Sequence, residues 1–185
     1  MKVLGICGSL RAGSYNRLLL AAAAEIARSK DVELSIFNLD SIPFYNFDLD
    51  GPDKPEPVQQ FIDAIDAAAG LVFAVPEYNH SISGVLKNAI DWASRPAFKS
   101  GLANKPSAVL SAAESPLGGV RGQMNLRTIL DSTLTPVYLT NDYLLPMAHE
   151  AFDDQGVLRD ETGRTRLERY IHGYCEWIKG YRQVV

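Results

Sequence analysis

The feature that most constrains this chain is a series of short apolar runs, each separated from the next by a helical pattern. Four are clear, at Val3–Cys7, Leu34–Phe37, Leu71–Val75 and Ser107–Leu110, and Thr135–Leu139 is a weaker fifth. The first and third are nearly all apolar. A strand reads that way when both of its faces are covered, as in a parallel sheet. Between the runs, Leu19, Ala22, Ala23 and Ile26 recur at helical spacing, as do Val58, Phe61, Ile62 and Ile65. Pro57 suits a first helical turn and Gly70 a stop. The pattern predicts a third helix over 84–94 and a fourth over 120–132, with Met124, Leu126, Ile129 and Leu130 as its apolar positions. Leu167, Ile171, Tyr174 and Ile178 make one stripe near the C-terminus. Strands alternating with helices predict an α/β fold, a doubly wound five-stranded parallel sheet with helices on both faces. The 185 residues fit a single domain over 1–185 with a full core.

Charge and cysteine usage narrow the partners. The formal net charge is −4 with no block of like charges, which argues against nucleic acid or an anionic membrane surface. Cys7 and Cys175 form no CxxC pair and no disulfide framework, and a reducing cytoplasm suits them. No apolar run approaches the ~20 residues of a membrane helix, and the N-terminal run is broken too early for a signal peptide.

In a doubly wound sheet ligands bind beyond the carboxyl ends of the strands, near the topological switch point. The loops after strands one, three and four read CGSLRAGSYN, PEYNHSIS and SAAESPLGG, all three polar and rich in glycine or serine. In the first, a helix start offers free amide donors and the positive end of a dipole to an anion. Ser9, Ser14 and Asn16 add side-chain donors, and Arg11 a cation. A polar turn with Ser14 as a plain helix cap explains this loop equally well. Gly8 and Gly13 have P-loop spacing, but Ser14-Tyr15 stands where Lys-Ser/Thr belongs, so nucleotide triphosphate hydrolysis is not expected. There is no GxGxxG, no GxSxG, and no HExxH, because Asp153 follows His149-Glu150 where the second histidine belongs.

GSLRAGSYN at 8–16, PEYNHSISGVLKNAIDW at 76–92 and the pair Gly118-Gly119, in that order, resemble the NADPH-dependent FMN reductases. SIPFYNFDLD at 41–50 also resembles the family's loop after strand two. The resemblance runs from Met1 to about Leu130 and implies a flavodoxin-like fold with bound FMN. It implies that Ser9, Arg11, Ser14 and Asn16 hold the FMN phosphate. Pro76, Glu77, Tyr78, Asn79 and Ser81 are implied to lie along the flavin ring and ribityl chain, and Ser111 with the loop through Gly119 to form a third wall. One departure is Ser83, where the family often has proline; it either loosens or recaps the following helix.

The expected function is therefore an FMN-dependent NAD(P)H oxidoreductase. It would pass a hydride from NADPH or NADH through FMN to a quinone-like acceptor (chromate, azo compounds or flavin also being implied) in a ping-pong cycle. The flavin carries the chemistry and no catalytic side chain is expected. A flavodoxin-type electron carrier and a non-catalytic flavin-binding regulatory protein are the alternatives. The resemblance also implies a homodimer or homotetramer. Asn88 is expected to brace the neighbouring loop, Trp92 and the row Tyr170, Tyr174, Trp177 and Tyr181 to pack, Cys7 to be inert, and His172 to be structural.

Overall fold

A computed structural model describes residues 1–181; the last four residues of the expected 1–185 unit lie outside the described residues. The elements run β1 (Lys2–Cys7), α1 (Tyr15–Arg28), β2 (Glu33–Phe37), α2 (Glu56–Ala67), β3 (Leu71–Ala74), α3 (Gly84–Ala93), β4 (Ser107–Ala112), α4 (Val120–Ser132), β5 (Tyr143–Leu145), α5 (Ala148–Ala151) and α6 (Glu161–Gly180). The five strands form one parallel sheet in the order β2-β1-β3-β4-β5. This is the flavodoxin-like order, with its switch point between β1 and β3.

The period of two along each strand divides the core. Val3, Cys7, Val72, Ala74, Ala108 and Leu110 face α1 and α6. Leu4, Ile6, Leu71, Phe73, Val75 and Val109 face α2, α3 and α4. The stripe of α6 is buried as its spacing predicts, at Leu167, Ile171, Tyr174 and Ile178. On α4, Leu126 and Leu130 are buried, but Met124 is 61% exposed and does not belong to the core stripe.

The fifth strand is not where the sequence places it. Residues 135–139 form no strand; Val137 makes one isolated bridge to Ser107. The edge strand is Tyr143–Leu145, three residues long. The pairing is short: Ser107 N donates to Pro136 O and Tyr138 N to Ser107 O, both at 2.8 Å, and it stops after Tyr138; Pro136, with no N–H, cannot extend it backward. The break strands Val109, whose outer edge faces no strand. Tyr170 fills the gap with one hydroxyl, which donates to Val109 O and accepts from Val109 N, both at 3.1 Å. Burial holds that phenol up at about 12, so it keeps its proton at ordinary pH. Tyr174 Oη similarly reaches Leu71 O (2.9 Å) and Pro106 O (3.1 Å). The aromatic row of α6 thus packs, as expected, and also repairs the sheet's backbone. Among the described residues no helix is long and apolar enough to cross a membrane.

Candidate cofactor site

The three polar loops meet at the carboxyl ends of β1, β3 and β4. They enclose a cleft of about 360 Å3. The first loop leaves β1 with Gly8 N still donating to Ala74 O, at 2.9 Å. It turns at Arg11–Ser14, where Ser14 N donates to Arg11 O at 3.1 Å. Ser14 then caps α1, its side chain accepting from Arg17 N. Tyr15 and Asn16, as the first two residues of α1, have N–H groups with no intrahelical acceptor. Arg11 is exposed, with its guanidinium 5.1 Å from the centre of the Tyr15 ring.

The second loop is a tight hairpin. Tyr78 and Ser81 exchange both backbone bonds at 3.0 Å. Asn79 and His80 between them have φ of 50° and 64°, the two left-handed positions of a type I′ turn. Ser9 Oγ lies 3.4 Å from Tyr78 Oη and so joins the first loop to the second. Ser83 does more: its Oγ accepts from Leu86 N (3.1 Å), capping α3, and donates to Gly8 O (2.6 Å). Serine at this position therefore recaps the helix and fastens the two loops together. Asn125 Nδ2 donates to the His80 carbonyl at 3.2 Å, and the His80 ring is exposed.

Glu77 reaches the third element. Its Oε2 accepts from Arg121 N (2.9 Å) and Gly122 N (3.3 Å), and Arg121 Nη1 lies 3.4 Å from Oε1. The N-cap of α4 is Gly119, which has no side chain to offer. Glu77 supplies the missing cap from another loop, with its charge at the positive end of the helix. Gly119 itself has φ of 88°, and a Cβ there would lie 3.0 Å from Ser111 Cβ.

Seven of the sequence-predicted residues line the cleft: Ser9, Arg11, Ser14, Asn16, Pro76, Glu77 and Tyr78. Asn79 and Ser81 do not, since they belong to the hairpin's outer end. Ser111 lies behind the wall, fully buried, with Oγ donating to Gly118 O (2.6 Å) and accepting from Gln123 Nε2 (2.9 Å). The residues that do form the third wall are Ala112, Ala113 and Glu114, and Tyr15 also lines the cleft. Ala112, Ala113 and Glu114 fall in the loop through Gly119 that was expected to form this wall, though none was singled out, and Tyr15 was missed. The aromatic at the first position of α1 was a usable signal; the alanines carry none. Asn16 lines the cleft but spends its amide on β4, donating to Ala112 O (2.9 Å) and accepting from Ala112 N (3.0 Å).

The loop after β2 closes over α3. Asn88 accepts from Tyr45 N (2.7 Å) and donates to Pro43 O (2.9 Å), and Trp92 Nε1 donates to the same carbonyl at 2.8 Å. Asn88 therefore braces this loop and not the hairpin beside it. Further along, Asp50 takes Lys54 (2.9 Å), Arg95 (3.3 Å) and the Tyr45 hydroxyl (3.2 Å). Burial alone would raise the Asp50 carboxyl, but these partners outweigh it and hold it below the ordinary value. A carboxyl lowered in the folded state stabilises above its unfolded pKa of about 3.9 and loses that contribution as pH falls through the folded value. Acidification below about 4 should therefore release the 45–54 loop. Trp92 reports it, because the Tyr45 ring stacks edge-on at 4.9 Å. In a Trp177→Phe background, an acid fluorescence transition should appear and vanish in Asp50→Asn; its survival in Asp50→Asn would exclude this carboxyl as the cause.

The remaining candidates are placed away from the cleft's chemistry. Cys7 is buried, which pushes its thiol up and leaves it unreactive. His172 Nε2 sits 3.0 Å from Ser29 Oγ, and among the described residues His149 pairs only with Glu150. No group of three or more metal-ligating side chains occurs among the described residues.

The residues fit a flavin nucleotide. Free helix N–H groups and the Arg11 cation offer an anion site, and the phenol of Tyr78, 51% exposed, offers an aromatic wall. A sheet of this order with such a cleft at its switch point defines a flavodoxin-like protein. The comparisons with known proteins make the assignment sharper. The model of the NADPH-dependent FMN reductase family matches residues 1–150, and the chain belongs to that family. It is 39% identical to an NAD(P)H-dependent FMN reductase of Pseudomonas aeruginosa, covering 98% of this chain and 97% of that one. It is 43% identical to an NAD(P)H:quinone oxidoreductase of Solanum tuberosum, covering 92% and 89% of the two chains. Among solved structures, the flavoenzyme NAD(P)H:(acceptor) oxidoreductase FerB of Paracoccus denitrificans superposes with a TM-score of 0.88 at 30% identity, over 97% of each chain.

Proposed function

We propose that this protein is an NAD(P)H-dependent FMN oxidoreductase acting on quinone-like acceptors. The single observation that carries this reading is the cleft itself. It has an anion site at the start of α1 and an aromatic hairpin opposite, joined by Ser9–Tyr78 and Ser83–Gly8. When bound there, FMN supplies hydride acceptance from NAD(P)H and electron delivery to the acceptor. The protein's part is to hold and orient. Arg11 with the N–H groups of Tyr15 and Asn16 takes the phosphate. Ser9 and Ser14 sit beside it, and Pro76, Glu77 and Tyr78 form the wall along the ring. Asn79 and Ser81 act through the hairpin's main chain, because their side chains lie outside the cleft. Ser111 acts only by packing behind the third wall. Glu77 positions the hairpin against α4, since its carboxylate is already taken by helix N–H groups.

Nicotinamide nucleotide and acceptor use one open face in turn, which gives parallel lines in steady-state kinetics. Quinones are the favoured acceptors, with chromate, azo compounds and free flavin as further candidates. The working unit is a homodimer or homotetramer of a single FMN-binding domain, in the cytoplasm, with no nucleic-acid or membrane partner.

Arg11→Ala tests the phosphate assignment. The side chain is exposed and makes no ion pair among the described residues, so the unfolding midpoint should not move. FMN or NADPH should bind about tenfold more weakly, equivalent to about 1.4 kcal/mol. Unchanged affinity for both would remove Arg11 from the site.

A further inference from the structure

The segment that fails to form the expected fifth strand creates a second cavity. It lies on the outer edge of the sheet, between residues 138–142 and α6, and measures about 350 Å3, close to the cofactor cleft in size. The two cavities share no lining residue. The groove lies where the pairing of residues 136–138 with Ser107 stops short of Val109, whose exposed backbone Tyr170 seals from below.

Its charge is one-sided. Arg166 and Arg169 are three apart on α6 and so share a face of the helix. Arg166 is fixed in place: its Nη2 donates to Leu144 O at 3.1 Å, and its guanidinium lies 5.4 Å from the centre of the Tyr143 ring. Neither arginine has a carboxylate partner among the described residues. The only carboxylate in the lining, Asp142, is held by Arg127 at 2.6 Å and is neutralised there. Two guanidiniums therefore line one small cavity whose one lining carboxylate is already paired with a third arginine. The Thr140 hydroxyl and the Asn141 amide add neutral donors at its rim.

We propose that this groove is a second ligand site and that it takes the phosphate of a small phosphomonoester. Two positive charges match a phosphate dianion better than a carboxylate, and guanidinium forks suit its oxygens. The cavity has room for a body of small-molecule size beyond the phosphate itself. Nothing in this assignment depends on the reaction at the cofactor cleft.

The test is a titration of the protein, loaded with one equivalent of FMN, with inorganic phosphate, followed by phosphorus NMR line width and calorimetry. Acetate serves as the carboxylate comparison. Phosphate should bind the loaded protein and bind Arg169→Ala about tenfold more weakly. Arg166→Lys, which keeps the charge but loses the fork, should weaken it as well. Arg11→Ala should leave this second phosphate event unchanged, which separates it from the cofactor cleft. Acetate should bind more weakly than phosphate. The proposal is overturned by a loaded wild-type protein that binds no phosphate, as it would if a second copy of the chain covers the groove. It is equally overturned by phosphate affinity that is the same in Arg169→Ala, or by acetate binding as tightly as phosphate.

Discussion

Gly8→Val is expected to abolish flavin uptake. A Cβ at this position would stand 2.8 Å from Pro76 Cδ and 3.1 Å from both Leu86 Cβ and Ser83 Oγ. The proline ring cannot rotate away, so the second loop must move, and the two further methyls of valine move it more. The shift also pulls on the 2.6 Å bond from Ser83 to Gly8 O, which fastens the two walls of the cleft. Overpacking of this kind costs about 1–3 kcal/mol of stability. Loss of a correctly spaced cleft should weaken FMN at least a hundredfold, or about 2.7 kcal/mol. Flavin fluorescence titration and thermal unfolding read the two effects separately. Gly13→Ala is the control, because a Cβ there meets only Arg11 Nη1, at 3.5 Å, and should leave FMN binding nearly intact. Equal FMN affinity in Gly8→Val and wild type would mean that the first two loops do not jointly form the flavin site.

Asn16→Ala should destabilise the whole protein more than any other change in the cleft. This side chain is 4% exposed and satisfies both backbone groups of Ala112 at the end of β4. Alanine would leave a buried N–H and a buried C=O without partners, each costing about 1–3 kcal/mol. The expected loss of about 2–6 kcal/mol is a large share of the roughly 5–15 kcal/mol that holds a domain together. Urea unfolding measures it. FMN affinity should fall too, because α1 and the third wall are set by the same pair of bonds. A loss below about 1 kcal/mol would show that the Asn16–Ala112 pair contributes no more than an average hydrogen bond.

These two residues show what the chain reveals and what it hides. The runs Val3–Cys7 and Leu71–Val75 were legible because a strand covered on both faces can tolerate little polarity. The three loops were legible because polar residues at strand ends are conspicuous after such runs. The fifth strand was not, since three residues at a sheet edge carry too few apolar positions to outweigh the longer run at 135–139. The resemblance placed residues in loops but did not fix where their side chains point. Ser111 turns into the core toward Gly118 O, while its neighbours Ala112 and Ala113 present the wall. Glu77 and Ser83 likewise act at long range, on α4 and on Gly8, and no local spacing encodes such partners.

The most direct test of the central claim is one anaerobic experiment. The protein is loaded with FMN, its visible spectrum recorded, and one equivalent of NADPH added, followed by a benzoquinone. The flavin bands should be perturbed by the protein, bleach with the nicotinamide nucleotide, and return with the quinone. A flavin spectrum identical to that of free FMN, or bound flavin that neither NADPH nor NADH can bleach, would contradict the assignment of this cleft as the site of an NAD(P)H-dependent FMN oxidoreductase.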